Sequence, residues 1–241
     1  MTTERSTEAS GVRIRYLDND PSPSVGLPVV FSPGVVDSAD DYEQVLSFFS
    51  PRRVLVVDVR GRGGSEAPPH GYSVDHLADD LDAAIADAGL GRFHLMTFSR
   101  GTPTALTVAL RHPSRVASIS IGDYKAVEIA LPPSFVDQQW ASSWRGRPMP
   151  DRVQRHVLEG IVRDSRAREL WDEVDALGVP ILLAYGTGPG TIVNDDTVAR
   201  YRQAIARTEF VTIPDAGHDL FRPDRLAYPR AVADFVARVE R

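Results

Sequence analysis

The chain contains no cysteine. Disulfides and cysteine-ligated metal sites are therefore excluded, and the fold must be held by core packing and polar contacts. Lysine is almost missing as well: Lys125 is the single lysine among 27 basic residues, the rest being arginines. A GC-rich coding sequence accounts for that bias more simply than special arginine chemistry does. There is no excess of positive charge, since 33 acidic residues outweigh the 27 basic ones for a net charge of −6. A nucleic-acid partner is thus not expected, because phosphate binding relies on clustered cations. No apolar run approaches the ~18–20 residues that a bilayer span needs, residues 179–185 being among the longest, so no membrane association is expected. The first ten residues are polar and lack the apolar centre of an export signal, which favours a cytoplasmic protein.

What is present describes a folded enzyme-sized domain. The 241 residues are 42% hydrophobic and 25% charged. A disordered chain would be poorer in apolar residues. This length suits one domain, residues 1–241, burying roughly 70–75% of the surface of the unfolded chain. Residues 11–17 alternate apolar and polar and predict an exposed edge strand. Buried strands are expected at 28–31, 53–59, 93–98, 116–121, 180–185 and 209–213. Helices are expected at 41–49, from Ser73 as N-cap, and at 102–111, 195–206 and 230–239. Strands alternating with helices predict an α/β fold, a mostly parallel twisted sheet with helices on both faces. Residues 124–178 break the rhythm. They read as helices at about 133–144, 151–164 and 165–177 with no strand between, a helical cap over the sheet edge where ligands bind in such folds. All three tryptophans, Trp140, Trp144 and Trp171, lie in this insert.

The sharpest local signal is Thr97-Phe98-Ser99-Arg100-Gly101, at the junction of a buried strand and a helix. A serine on that tight turn is thrust out of the sheet edge, and the residue two positions later must be small for strand and helix to approach. A serine hydroxyl needs a base. Of six histidines, His218 is the candidate, because it follows the last strand and so reaches the same sheet edge. His70, His76, His94, His112 and His156 have ordinary places in strands, helix ends or loops. No pair of histidines has metal-ligand spacing, so no metal and no cofactor is expected.

These segments resemble the α/β-hydrolase superfamily over almost the whole chain. Asp58-Val59-Arg60-Gly61-Arg62-Gly63-Gly64-Ser65 is similar to its D-x-R-G-x-G-x-S loop, and Phe31-Ser32-Pro33-Gly34-Val35 is similar to its oxyanion loop. Ser99 matches the nucleophile, with Thr97 in place of the first glycine of G-x-S-x-G, and His218 matches the catalytic histidine. The resemblance implies an oxyanion hole built from the backbone N–H groups of Val35 and Arg100. It also implies an acid shortly after the strand at 180–185, yet residues 185–193 hold no carboxylate. Asp123, at the end of the strand at 116–121, is the preferred substitute, since neighbouring strands lie ~4.8 Å apart. Asp195, Asp196, another carboxylate or no acid at all are the alternatives.

The resulting expectation is a serine hydrolase acting on a carboxylic ester, lactone or thioester of a small hydrophobic molecule. Ser99, His218 and Asp123 would be catalytic, and Trp140 and Trp144 would line the substrate pocket. Arg100 either faces outward or reads an acidic substrate. Acyl transfer, C–C bond hydrolysis on the same Ser-His pair, and a non-hydrolytic ligand-binding protein are the alternatives. Oligomeric state is left open.

Overall fold

The structure, a computed structural model, describes residues 2–241. Its centre is an eight-stranded sheet in the order β1-β2-β4-β3-β5-β6-β7-β8. The strands are β1 (Thr3–Ala9), β2 (Val12–Asp18), β3 (Val29–Ser32), β4 (Val54–Asp58), β5 (Phe93–Phe98), β6 (Val116–Gly122), β7 (Ile181–Gly186) and β8 (Thr208–Ile213). From β4 to β8 all neighbours are parallel, and β2 joins β4 antiparallel.

Residues 11–17 are not the edge. The sheet ends instead on β1, which pairs with β2 from Thr3↔Asp18 to Ala9↔Val12. Its sequence, Thr-Glu-Arg-Ser-Thr-Glu-Ala, has almost no apolar signal. The hairpin forms because Ser10 (φ 53°) and Gly11 (φ 78°) make a two-residue turn with both residues left-handed, which matches the twist of paired strands. A charged, polar strand also blunts the edge against further pairing.

The parallel strands β3 to β7 are buried on both faces, which explains their continuous apolar runs, while β8 at the edge is only partly buried. In β5, Phe93 and Leu95 join one core cluster while Met96 and Phe98 join the other. Helices α2 (Val74–Asp87), α3 (Gly101–Arg111) and α7 (Asp195–Ala204) cover the first face through Leu81, Ile85, Leu106 and Tyr201. Helices α1 (Glu43–Phe49) and α8 (Ala227–Val239) cover the second through Leu46, Phe49, Tyr228 and Phe235. Ser73 caps α2 as expected, its hydroxyl accepting from the His76 amide.

Between β6 and β7 the chain leaves the sheet. Three helices form there, α4 (Ser134–Trp140), α5 (Arg155–Asp164) and α6 (Trp171–Ala176), each shorter than the periodicity suggests, with α5 keeping its predicted end. The expectation of no strand in this region is corrected. Val127–Glu128 pairs with Arg168–Glu169, and Ser143–Trp144 pairs with Arg147–Pro148. The second ribbon turns at Arg145 (φ 51°) and Gly146 (φ 81°), a pair of left-handed residues that ends any helix running on from α4. A third core cluster, with Val136, Met149, Val157 and Ile161, knits the insert to Val36 and Tyr72.

The C-terminal helix is tied to the start of the sheet by Glu240. Its carboxylate accepts from both Arg52 guanidinium nitrogens at 2.6 and 2.7 Å and from the Leu27 amide at 2.7 Å. The Arg52 hydrogen bonds pull its pKa down to about 2. A depressed folded-state pKa stabilises the fold above the ordinary carboxylate pKa, and that stabilisation is lost as pH falls from about 4.5 towards 2. Glu240→Gln is therefore expected to cost about 1 kcal/mol at pH 7, roughly 2–4 °C in Tm. Thermal melts of the two proteins at a series of pH values should draw together below pH 4.5 and converge only towards about pH 2.

Candidate active site

Three side chains from distant parts of the chain meet at the C-terminal ends of the parallel strands. The Ser99 Oγ lies 2.9 Å from His218 Nε2, and His218 Nδ1 lies 2.7 Å from Asp123 Oδ2. Each is delivered by a local device. Ser99 sits directly after β5 with φ 52°, a left-handed conformation costing a non-glycine residue about 1–2 kcal/mol. The turn is held by its own amide, which donates to Gly122 O at 2.9 Å, and by its carbonyl, which accepts from the Thr102 amide at 3.0 Å. Two residues on, a Cβ at Gly101 would meet the carbonyl oxygens of Ser32 and Pro33 at 2.2 and 2.3 Å. Only glycine lets α3 start this close to the loop after β3. Thr97 replaces the other glycine without a clash, its hydroxyl bonding Thr102 Oγ1 at 2.9 Å inside the core.

Asp123 extends β6 by one residue, its amide donating to Ala184 O at 2.8 Å, and then turns with φ 45°. The carboxylate is fully buried. Oδ1 accepts from Thr191 Oγ1 at 2.6 Å and the Val193 amide at 3.1 Å, while Oδ2 accepts from the Ile192 amide at 2.9 Å and from His218. The segment after β7, which lacks a carboxylate, thus supplies three donors to one that comes from β6. A buried carboxylate is tolerable only with such saturation. Asp195 and Asp196 take no part, as both sit in the first turn of α7.

His218 is placed by close backbone packing. A Cβ at Gly186 would lie 2.1 Å from Ala216 O, and one at Gly217 would lie 2.4 Å from Pro189 O. The imidazole stacks on Phe98, with ring centroids 5.1 Å apart. His94 is a core residue, bonded to Ser118 Oγ at 2.7 Å and to Glu240 Oε1 at 3.1 Å, and burial lowers its pKa.

The loop after β3 faces the serine turn. Pro33 has no N–H, and the Gly34 amide already donates to Asp37 Oδ2 at 2.8 Å. The backbone amides of Val35 and Arg100 make no hydrogen bond among the described residues. Asp37, buried, is a residue that sequence reading did not single out. Its signal was its spacing, three residues after Gly34, which lets it close a local turn on that amide. Arg60 is structural, forked onto Asp80 with Nη2 2.5 Å from Oδ1. Arg62, buried, supports the loop from beneath by donating to Val35 O at 3.0 Å, and burial lowers its pKa to about 10.

Ser99, His218, Val35 and Arg100 all line one cavity of about 410 Å³. The insert contributes Tyr124, Ile129, Leu131, Phe135, Gln139, Ser142 and Trp144 to its wall. Trp144 is therefore in the pocket and Trp140 is not. Trp140 ends α4 and lies under the Arg155 guanidinium, 5.7 Å from ring to charge. Trp171 packs on Tyr201, far from the serine, in the core beneath the sheet. The Arg100 guanidinium lines the same cavity, 3.3 Å from Ile129 O, with no carboxylate within ion-pair distance among the described residues.

Comparison with known proteins bears on the fold and the family likeness. Residues 28–121 match the model of the family described as alpha/beta hydrolase fold. A non-heme chloroperoxidase of Streptomyces lividans is 25% identical, over 93% of this chain and 99% of its own length. A putative 2-succinyl-6-hydroxy-2,4-cyclohexadiene-1-carboxylate synthase of Bacillus subtilis is 22% identical, over 99% and 100%. Among solved structures, the enol-lactonase of Burkholderia xenovorans superposes with a TM-score of 0.79 at 20% identity, covering 97% of this chain and all of that one. The chain is similar in sequence to the α/β-hydrolase superfamily and shares its fold, and its relatives and structural neighbours are enzymes of that superfamily.

Gly101→Ala tests how the serine turn is built. The added methyl must push two backbone carbonyls of the facing loop, an overpacking cost of about 1–3 kcal/mol. A lower Tm together with loss of serine reactivity is expected. A variant melting at the wild-type temperature would show that the two elements are not in forced contact.

Proposed function

We propose that the protein is a serine hydrolase that cleaves a carboxylic ester, lactone or thioester of a small, largely apolar molecule through an acyl-enzyme at Ser99. The observation that carries this reading is the continuous hydrogen-bonded chain from Ser99 Oγ through His218 to Asp123, at 2.9 and 2.7 Å. His218 Nε2 takes the hydroxyl proton as Oγ attacks the carbonyl carbon. The carbonyl oxygen, now negative, accepts from the Val35 and Arg100 amides, donors each worth about 3–4 kcal/mol when fixed in place. His218 then protonates the departing alcohol or thiol. Water attacks the acyl group with His218 again as base, releasing the acid and restoring Ser99. Asp123 holds the imidazole with Nε2 facing serine and stabilises the imidazolium.

The motives for a non-hydrolytic reading are the lack of an acid after β7 and the substitutions at Pro33 and Thr97. Asp123, bonded to the segment after β7 and to His218, supports the hydrolytic reading against the first of these. The insert serves as the cap, its apolar side chains receiving the acyl or ring portion of the substrate. Arg100 adds one polar demand, because a guanidinium without a carboxylate partner at a largely apolar wall suits a substrate bearing an anionic group. The carboxylate in the printed name of the Bacillus subtilis relative agrees with this preference.

Intact mass after treatment with a fluorophosphonate is the primary test. One adduct on the wild-type protein and none on Ser99→Ala is expected. Asp123→Asn should lower ester turnover by about 10³–10⁴, as loss of the equivalent role does in a trypsin-like protease. An unlabelled, folded wild-type protein would overturn the reading, and normal turnover in Asp123→Asn would remove Asp123 from it.

Arg100→Gln separates substrate classes. Because the Arg100 amide is kept, kcat on neutral p-nitrophenyl butyrate should stay within about threefold. KM for a p-nitrophenyl hemiester of a dicarboxylic acid should rise about tenfold, a loss of about 1.4 kcal/mol. Equal effects on both esters would place the anion preference elsewhere.

A further inference from the structure

We propose that the hairpin Ser143–Trp144/Arg147–Pro148 of the insert is a positioning element for the active site, with Trp144 and Arg145 as its positioning residues. The proposal rests on the serine-hydrolase reading above and extends it, since it makes the insert part of the catalytic scaffold as well as a wall of the pocket.

The hairpin reaches both sides of the reacting centre. On one side, Trp144 Nε1 donates to Asp37 Oδ1 at 2.6 Å. The other oxygen of Asp37 accepts from the Gly34 amide at 2.8 Å and from Tyr42 OH at 2.8 Å. The Gly34 amide is one peptide before the Val35 N–H, so the orientation of Asp37 sets where that donor points. On the other side, the Arg145 guanidinium forks onto Asp219 at 2.9 and 2.8 Å. Asp219 is the residue next to His218. Between these two anchors the Trp144 ring stacks over Phe98 at 6.4 Å, and Phe98 is the residue before Ser99. Phe98 in turn carries the His218 ring.

Arg145 is suited to this place. It is enclosed by the rings of Tyr42, Trp144 and Phe221, with its central carbon 4.9–5.3 Å from their centroids. It also lies 3.7 Å from Asp37. The left-handed turn that presents it is set by Arg145 and Gly146 themselves. Such a charge inside an aromatic cage, bonded bidentately, holds a geometry that a flexible surface pair would not.

Trp144 supplies the sole hydrogen bond to Asp37 Oδ1 among the described residues. Without it, the carboxylate is drawn towards Arg145 and Arg152, whose guanidinium nitrogens lie 3.7 and 3.9 Å away. The Gly34 turn then loosens, and the Val35 amide loses its aim. The substrate's ground state would not register this change, because the amide acts on the charge that develops later. Small errors of placement cost heavily in such sites.

The experiment compares wild type, Trp144→Phe, Asp37→Asn and the double variant. It uses p-nitrophenyl butyrate turnover and the rate of fluorophosphonate labelling, in which Ser99 Oγ displaces fluoride from phosphorus while its proton passes to His218. Trp144→Phe keeps an aromatic ring over Phe98 and removes the donor. We expect kcat and the labelling rate to fall about tenfold with KM within twofold, and the double variant to be no slower than Asp37→Asn alone. Arg145→Lys, which keeps the charge and loses the fork, should slow labelling similarly. It is the second readout should Trp144→Phe not fold. Wild-type rates in Trp144→Phe, a change confined to KM, or full additivity in the double variant would overturn the proposal. Absence of any wild-type labelling would instead overturn the serine-hydrolase reading beneath it.

Discussion

One carboxylate organises the catalytic end of the sheet. Asp123 Oδ1 and Oδ2 together accept from a hydroxyl, two backbone amides and an imidazole, all within 3.1 Å. An anion removed from water in this way must be saturated, or it would destabilise the fold by several kcal/mol. Its four donors come from two separate loops, so satisfying it fixes the segment after β7 and the segment after β8 to the end of β6. The alignment of His218 with Ser99 follows from that requirement. Under the proposed function, activity and local stability share this one cause.

Sheet geometry explains how a carboxylate after β6 can reach the histidine in place of one after β7. β6 and β7 are hydrogen-bonded in parallel, with Gly122 opposite Ala184. Asp123, just beyond Gly122, is therefore level with Tyr185 near the end of β7, and a strand spacing of ~4.8 Å is within reach of a side chain. What changes is the role of the loop left without its acid. Here residues 191–193 present donors where an acid would present an acceptor, and the network closes with the same charge.

The insert is more than a lid in this arrangement. Its helices supply the apolar wall, and its hairpin lies between the loop after β3 and the loop bearing His218. A polar spine of Asp37, Arg145 and Asp219 runs beside an aromatic one of Phe98, Trp144 and Phe221. The two spines impose different constraints. Aromatic stacking fixes distance but permits sliding, whereas bidentate and charge-assisted hydrogen bonds fix orientation.

Much of this was legible from the order of residues. Continuous apolar runs announced strands covered on both faces, because parallel strands have no wet side. Ser99 and His218 stood out because their local grammar, a serine between a buried strand and a helix and a histidine after the last strand, is a property of a few adjacent residues. Asp123 was reachable by reasoning about which strands must be neighbours. Polar β1 was not legible, since its stability comes from pairing with β2 and not from burial of its own side chains. The direction of each tryptophan was equally hidden: Trp140 and Trp144 are four residues apart, yet a turn between them sends one away from the cavity and the other into it. Contacts such as Trp144 with Asp37, 107 residues apart, and Arg145 with Asp219, 74 apart, leave no local trace. Sequence alone thus determined the alternation of elements and the residues with reactive chemistry, because those depend on short-range periodicity and side-chain type. Tertiary structure decided which acid reaches the histidine, which tryptophan lines the cavity and what holds the loop after β3, because each depends on where distant backbones converge.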